Sequence, residues 1–135
     1  MAKILIVDDE IGIRELLSEI LRDEGHDILL AENATAARAA RNAVRPDMVL
    51  LDIWMPDTDG ITLLKEWAAN GQLNMPVVMM SGHGTIDTAV EATRIGAIDY
   101  LEKPIALQKL LAAVKRGLQR PQAPGVQSAP TLAAF

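Results

Sequence analysis

Short apolar runs that stop at charge alternate along this chain with longer stretches whose apolar residues recur every three or four positions. Ile4–Val7 is rich in β-branched residues and halts at Asp8-Asp9-Glu10, so it reads as a strand. Ile13, Leu16, Leu17, Ile20 and Leu21 then share one helical face, and Gly25 supplies the stop. Asp27–Ala31 is a second short run. Asn33 is placed to cap a helix through the Ala-rich stretch 34–44, and Pro46 breaks the chain after it. Met48–Ile53 is the third strand, followed by the turn residues Asp57-Thr-Asp-Gly60 and by a helical face on Ile61, Leu64, Lys65 and Ala68 that closes near Gly71. Val77–Met80 opens into Ser81-Gly-His-Gly84, and Ile86, Ala89, Val90, Thr93 and Arg94 predict a fourth helix ended by Gly96. Ile98–Leu101 is the fifth run. Lys103-Pro104 follows, then a last helix on Leu107, Leu110, Leu111 and Val114 that finishes near Arg120.

Five strand–helix units with short connections imply an α/β protein: a doubly wound parallel sheet with helices on both faces. The expected arrangement is five strands in the flavodoxin-like order 2-1-3-4-5 with five helices. The run ending at Asp52 is apolar on both alternating faces, as expected of a strand covered on both sides. An unpaired carboxylate cannot be buried in such a layer without a cost of several kcal/mol. Asp52 is therefore expected at the C-terminal mouth of the sheet, where open α/β sheets hold ligands. From Pro121 the composition shifts to Pro, Gln, Ala, Gly and Ser without periodicity. The expected organisation is one domain over residues 1–120 and a flexible linker or tail over 121–135.

Composition narrows the function. Half the residues are apolar but only 3% are aromatic, so the core is aliphatic. With no cysteine, disulfides and thiolate chemistry are excluded. The net charge of −5 argues against this segment gripping nucleic acid, which needs a basic face. The first apolar run is too short for a signal-peptide core or a membrane span, so a cytoplasmic protein without membrane attachment is expected.

Candidate chemistry lies at the strand ends: Asp8 and Asp9 after the first, Asp52 at the third, Ser81 at the fourth, Lys103 at the fifth. In a parallel sheet these ends point the same way, and in the proposed order strands one and three are neighbours. Three carboxylates brought together repel unless a cation neutralises them. An all-oxygen acidic site suits Mg²⁺. With a hydroxyl and an ammonium beside it, the set holds what a phosphoryl group needs to settle on an oxygen nucleophile. No Gly-rich dinucleotide fingerprint, Walker loop or GxSxG elbow is present.

Val7-Asp8-Asp9-Glu10, Leu51-Asp52-Ile53-Trp54-Met55-Pro56 with Asp59-Gly60, Met80-Ser81-Gly82 and Lys103-Pro104 occur in this order at strand ends. Over roughly residues 3–120 the chain thereby resembles the receiver domain of two-component response regulators. Ser81-Gly-His-Gly84 with Tyr100-Leu-Glu-Lys-Pro104 most resembles receivers of the NtrC/NtrX type, found at the N-terminus of sigma-54-dependent activators. The resemblance implies a phosphorylation-activated switch controlling a downstream, transcriptional output. Asp52 would accept a phosphoryl group from a sensor histidine kinase. Asp9 would bind Mg²⁺ directly and Asp8 mostly through water, with Asp52 and the backbone carbonyl of Trp54 completing the protein ligands. Lys103 would pair with Asp52 before transfer, and Ser81 and Lys103 would contact the phosphoryl group afterwards. Ser81 and Tyr100 would form the switch pair, and Pro104, in a bond the family often makes cis, would shape the loop that aims Lys103. A homodimer through about residues 86–118 is implied, with Arg94, Asp99, Glu102, Lys109, Lys115 and Arg116 as pairing charges. Beyond its own phosphotransfer and dephosphorylation, no enzyme activity is implied.

Other classes fit less well. A Mg²⁺-dependent phosphatase or phosphotransferase of the haloacid-dehalogenase type places a second Asp two residues after its nucleophile. That position here is Trp54, which cannot serve as a general acid, and the chain has no room for a cap. A flavin binder would want a hydroxyl-rich phosphate loop where Asp8-Asp9-Glu10 would repel the phosphate. A stand-alone receiver acting by protein contact alone would leave the full set of chemical positions without a use. His83 reads as a loop residue, and Trp54 and Trp67 each read as packing, with Trp54 also a candidate shield against water attack on the phosphate.

Overall fold

In a computed structural model, residues 2–82 and 86–119 are described; His83, Gly84 and the proposed linker 121–135 lie outside them. Strands β1 (Lys3–Val7), β2 (Asp27–Ala31), β3 (Met48–Asp52), β4 (Val77–Ser81) and β5 (Asp99–Glu102) alternate with helices α1 (Ile11–Asp23), α2 (Ala34–Val44), α3 (Gly60–Ala69), α4 (Ile86–Ile95) and α5 (Leu107–Gln119). All neighbouring strands pair in parallel, in the order β2-β1-β3-β4-β5. The expected doubly wound architecture is therefore observed. No helix among the described residues is long and apolar enough to cross a membrane.

The period of two along each strand divides the core into two layers. Leu5, Val7, Val49, Leu51, Val77 and Met79 face one side, where Ala34 and Ala37 of α2, Ile61, Leu64 and Trp67 of α3 and Ala92 of α4 cover them. Ile4, Ile6, Met48, Leu50, Val78 and Met80 face the other, under Leu17 and Leu21 of α1 and Leu110, Ala113 and Val114 of α5. Every residue of β3 and β4 is buried, whereas the edge strands β2 and β5 keep exposed positions. That is the physical reason the central runs read as unbroken apolar sequence and the edge runs do not.

Local signals set the element ends. Asn33 Oδ1 accepts from Ala36 N at 2.8 Å, the expected cap of α2. Gly25 ends α1 with a φ of 92°, which its missing side chain permits. β5 begins one residue later than the apolar run suggests, although Ile98 N already donates to Val77 O at 2.9 Å. Such one-residue differences are ordinary at element ends. Arg41, in the Ala-rich α2, is buried and donates to Gln72 O at 2.7 Å and Asn74 Oδ1 at 3.0 Å, tying α2 to the turn before β4.

One contact bears directly on the mouth of the sheet. α3 starts so close to the end of β3 that Gly60 N donates to Ile53 O at 2.7 Å, and a Cβ on Gly60 would lie 2.2 Å from the backbone oxygen of Asp52. Neither partner is a flexible side chain, so the backbone itself would have to move. Gly60→Ala is expected to lower stability by about 1–3 kcal/mol, the usual cost of overpacking. A chemical denaturation midpoint equal to that of the wild type would contradict this account of the close approach.

Candidate functional site

The parallel order brings four strand ends to one rim. Asp8 follows β1, Asp52 is the last residue of β3, Ser81 the last of β4, and Lys103 comes directly after β5, where its N–H donates to Ser81 O at 2.9 Å. Asp8, Asp52 and Ser81 are all buried, Asp52 with 3% of its surface exposed. The expectation that Asp52 sits at the mouth holds, but the mouth is deeper than the sequence suggests. The carboxylate is tolerated there because it is paired.

The pairing runs through one ammonium. Lys103 Nζ lies 2.7 Å from Asp8 Oδ2, 3.0 Å from Glu10 Oε1 and 3.4 Å from Asp52 Oδ2. The resemblance gave Lys103 to Asp52; the shorter contacts are to Asp8 and Glu10. Burial works to lower the pKa of Lys103, but the carboxylates of Asp8, Glu10 and Asp52 outweigh it and hold the ammonium above its ordinary value. Asp52 goes the other way. Burial first, then the neighbouring charge of Asp8, raise its carboxyl from 3.8 to about 6, against the opposing pull of Lys103.

Asp8 is fixed by three bonds: Asp8 N donates to Ala31 O at 3.1 Å, Glu10 N donates to the side-chain Asp8 Oδ1 at 2.9 Å, and Arg14 Nη1 donates to Asp8 O at 2.7 Å. Carboxylate oxygens of Asp8, Asp9 and Glu10 come within 4.8 Å of one another. Asp52 is not a member of that tight group and reaches it through Lys103. Asp8 Oδ2 is buried with no aligned hydrogen-bond donor among the described residues, Lys103 meeting it as an ion pair. An acidic set of oxygen donors with one buried oxygen left underserved fits a hard divalent cation such as Mg²⁺.

The other expected residues fall as follows. Tyr100, on β5, is half-buried against the layer of α2, α3 and α4, and its buried hydroxyl has no hydrogen-bond partner among the described residues. The Lys103–Pro104 peptide bond is cis. Trp67 is a core residue at 1% exposure, whereas Trp54 is 54% exposed, so packing accounts for the first tryptophan and not the second. Two residues given no role in the sequence stand out. Glu10 shares Lys103, and its place in the Asp8-Asp9-Glu10 run was the available signal. Asp57, read as turn chemistry, accepts from Ala34 N and Thr35 N at 3.0 Å each. Those amides, Ala34 first, hold its carboxyl well below the usual carboxylate range.

A family model for the response regulator receiver domain matches residues 4–115. The chain belongs to this family. It is 42% identical over 117 residues to the regulatory protein AtoC of Escherichia coli K12, covering 87% of this chain and 25% of that protein. It is 43% identical over 118 residues to the nitrogen assimilation regulatory protein NtrX of Azorhizobium caulinodans, covering 86% and 26%. Among solved structures, the receiver domain of NtrX from Brucella abortus matches with a TM-score of 0.81 at 46% identity, covering 87% of this chain and 99% of that one. The chain thus spans about a quarter of the length of these two curated relatives. As a receiver domain of two-component response regulators, it is a phosphorylation-activated signalling switch and not a conventional enzyme. Receivers of this family take their phosphoryl group from sensor histidine kinases and bind Mg²⁺ at an acidic pocket; Asp8, Asp9 and Glu10 form an acidic group at this rim.

The raised carboxyl of Asp52 has a consequence for stability. A folded-state value of about 6 against 3.8 means that the folded receiver binds this proton more tightly than the unfolded chain. The resulting stabilisation is complete below 3.8 and is lost as pH rises through 6, leaving a penalty of roughly 2–3 kcal/mol at neutral pH in metal-free protein. Asp52→Asn, neutral at every pH, is expected to melt above the wild type at pH 7.5 in chelator, with the gap closing by pH 4. Thermal scans at the two pH values measure it, and a gap independent of pH would refute the burial argument.

Proposed function

We propose that Asp52 is the phosphoacceptor of this receiver. The observation that carries the reading is a buried carboxylate at the end of a central strand, 3.4 Å from the ammonium of Lys103 and beside the acidic group of Asp8 and Asp9. In the reaction, a carboxylate oxygen of Asp52 forms a bond to phosphorus as the P–N bond of a kinase phosphohistidine breaks. The electron pair goes to the imidazole nitrogen, which takes up a proton.

Asp9 directly, Asp8 mostly through water, Asp52 and the Trp54 carbonyl would hold Mg²⁺, which when bound supplies positive charge to offset the phosphoryl oxygens. Lys103 neutralises charge from the opposite side, and moves from its carboxylates onto the phosphoryl group once Asp52 is modified. Ser81, buried at the end of the adjacent strand, donates its hydroxyl to a phosphoryl oxygen. Tyr100 is the aromatic partner of the switch, and its register beside Met79, two residues before Ser81, supports that role. Added charge at Asp52 then favours whichever arrangement brings Ser81 and Lys103 closer. Pro104 shapes the loop that presents Lys103.

Residues 1–120 form the receiver and 121–135 a linker to an output that we read as transcriptional, from the likeness to NtrX and AtoC. This segment does not itself grip nucleic acid, given its net charge of −5. The face of α4, β5 and α5, about residues 86–118, pairs with a second copy. Arg94, Glu102, Lys109 and Lys115 are exposed there, as is Val90, whereas Arg116 and Asp99 are already ion-paired with each other within the chain.

Incubation with Mg²⁺ and acetyl phosphate followed by intact-mass analysis is expected to give one phosphoryl adduct in the wild type and none in Asp52→Ala. An adduct that survives in the variant would assign the acceptor elsewhere. Sedimentation with Mg²⁺ and beryllofluoride is expected to show a dimer absent from untreated protein; a monomer under both conditions would count against the pairing face.

A further inference from the structure

Eight residues after β3, the chain enters α3, and the loop between them is tied to a third element. Its far end is fixed by the bond from Gly60 N to Ile53 O and by Asp59, whose Oδ1 accepts from Thr62 N at 2.8 Å. In its middle, the Asp57 carboxylate leaves the loop and closes on α2. Oδ1 accepts from Ala34 N at 3.0 Å, and Oδ2 accepts from Thr35 N at 3.0 Å and from Thr35 Oγ1 at 2.9 Å. Oδ1 also accepts from Thr58 N at 2.8 Å, which holds the carboxylate in that direction. Arg38 of α2 adds a second tie, with bonds of 2.7 and 3.0 Å to Glu66 of α3 and one of 3.3 Å to Thr58 Oγ1.

A helix start leaves N–H groups that its own turns cannot serve. α2 has a cap of its own, since Asn33 takes the N–H of Ala36. The N–H groups of Ala34 and Thr35 are instead taken by a residue far along the chain. A carboxylate is well matched to these two N–H groups and the Thr35 hydroxyl, because its two oxygens meet all three donors and its charge faces the positive end of the helix. The same stretch also contacts the other side of the site, because Ala31 O accepts from Asp8 N. Residues 31–35 are therefore bonded on one flank to the segment carrying Asp8 and on the other to the loop that follows Asp52.

We infer that Asp57 is a positioning residue for Mg²⁺ in this receiver: its clasp on Ala34 and Thr35 sets where the backbone of residues 53–56 lies relative to Asp8 and Asp9. The inference rests on the reading of Asp8, Asp9, Asp52 and the Trp54 carbonyl as the metal site. Asp57 touches no reacting atom and acts through the loop it holds.

Mg²⁺ titration of the whole chain, followed by tryptophan fluorescence, tests it, since Trp54 is exposed in this loop. Asp57→Ala is expected to raise the apparent Kd for Mg²⁺ roughly tenfold, the lower range for residues that orient metal ligands. Asp57→Asn keeps one suitable oxygen and should fall between. Thr35→Val removes one bond from the α2 side and should give a smaller rise in the same direction, which carries the test if Asp57→Ala fails to fold. Asn33→Ala frays the same helix end without releasing the loop, so it should lower Tm yet leave Kd unchanged. Equal weakening in Asn33→Ala and Asp57→Ala would reduce the effect to helix fraying and overturn the inference. So would an unchanged Kd in Asp57→Ala or, in a folded Thr35→Val, no rise at all. A wild type that binds no Mg²⁺ would overturn the reading of the metal site itself, and this inference with it.

Discussion

A single ammonium facing three carboxylates is the constraint on which the rest of the site depends. Asp8 and Asp52 are buried at the ends of neighbouring strands, and among the described residues the cation that reaches both is Lys103, which also contacts the exposed Glu10. Buried charge is costly, and removing the cation of such a cluster typically costs about 3–5 kcal/mol because its carboxylates are left uncompensated. The cluster is nonetheless left with excess negative charge. That imbalance raises Asp52 and leaves an oxygen of Asp8 underserved, and it makes the rim receptive to a divalent cation.

Strand order converts this local chemistry into architecture. β1 and β3 are adjacent, so Asp8 and Asp52 meet; β4 and β5 follow on the other side of β3, so Ser81 and Lys103 arrive from one direction. The covering helices are held close enough to matter. α3 leaves no room for a side chain at Gly60 beside the Asp52 carbonyl, the end of β2 is bonded to the segment carrying Asp8, and the start of α2 to the loop that follows Asp52. The site is thus set by three elements of backbone as much as by its charged side chains.

The same arrangement differs from that of a haloacid-dehalogenase-type site, which places a second Asp two residues after its nucleophile. The residue two after Asp52 is a half-exposed tryptophan, which offers no carboxyl to protonate a leaving group. In the proposed reading Asp52 accepts and Lys103 holds a phosphoryl group, and the Trp54 position supplies no second acid to pass it on. Membership of the receiver family agrees with that chemistry.

Much of this was legible in the sequence because parallel α/β folds write their plan in simple periods. Strands buried on both faces must be short and apolar, and helices between them must show a stripe, so element order, sheet order and the rim residues Asp8, Asp9, Asp52, Ser81 and Lys103 followed from pattern alone. Caps such as Asn33, which act within three residues, were legible for the same reason. Tertiary structure decided what depends on distance between remote segments. Lys103 lies nearer Asp8 and Glu10 than Asp52, because side-chain reach at the rim is not a property of spacing. Asp57 looked like a turn residue, and only the approach of α2 gives its carboxylate the amides of Ala34 and Thr35. Trp67 follows the charged pair Lys65-Glu66 and Trp54 stands between Ile53 and Met55, yet Trp67 is core and Trp54 faces solvent, since burial is set by what the fold lays against each.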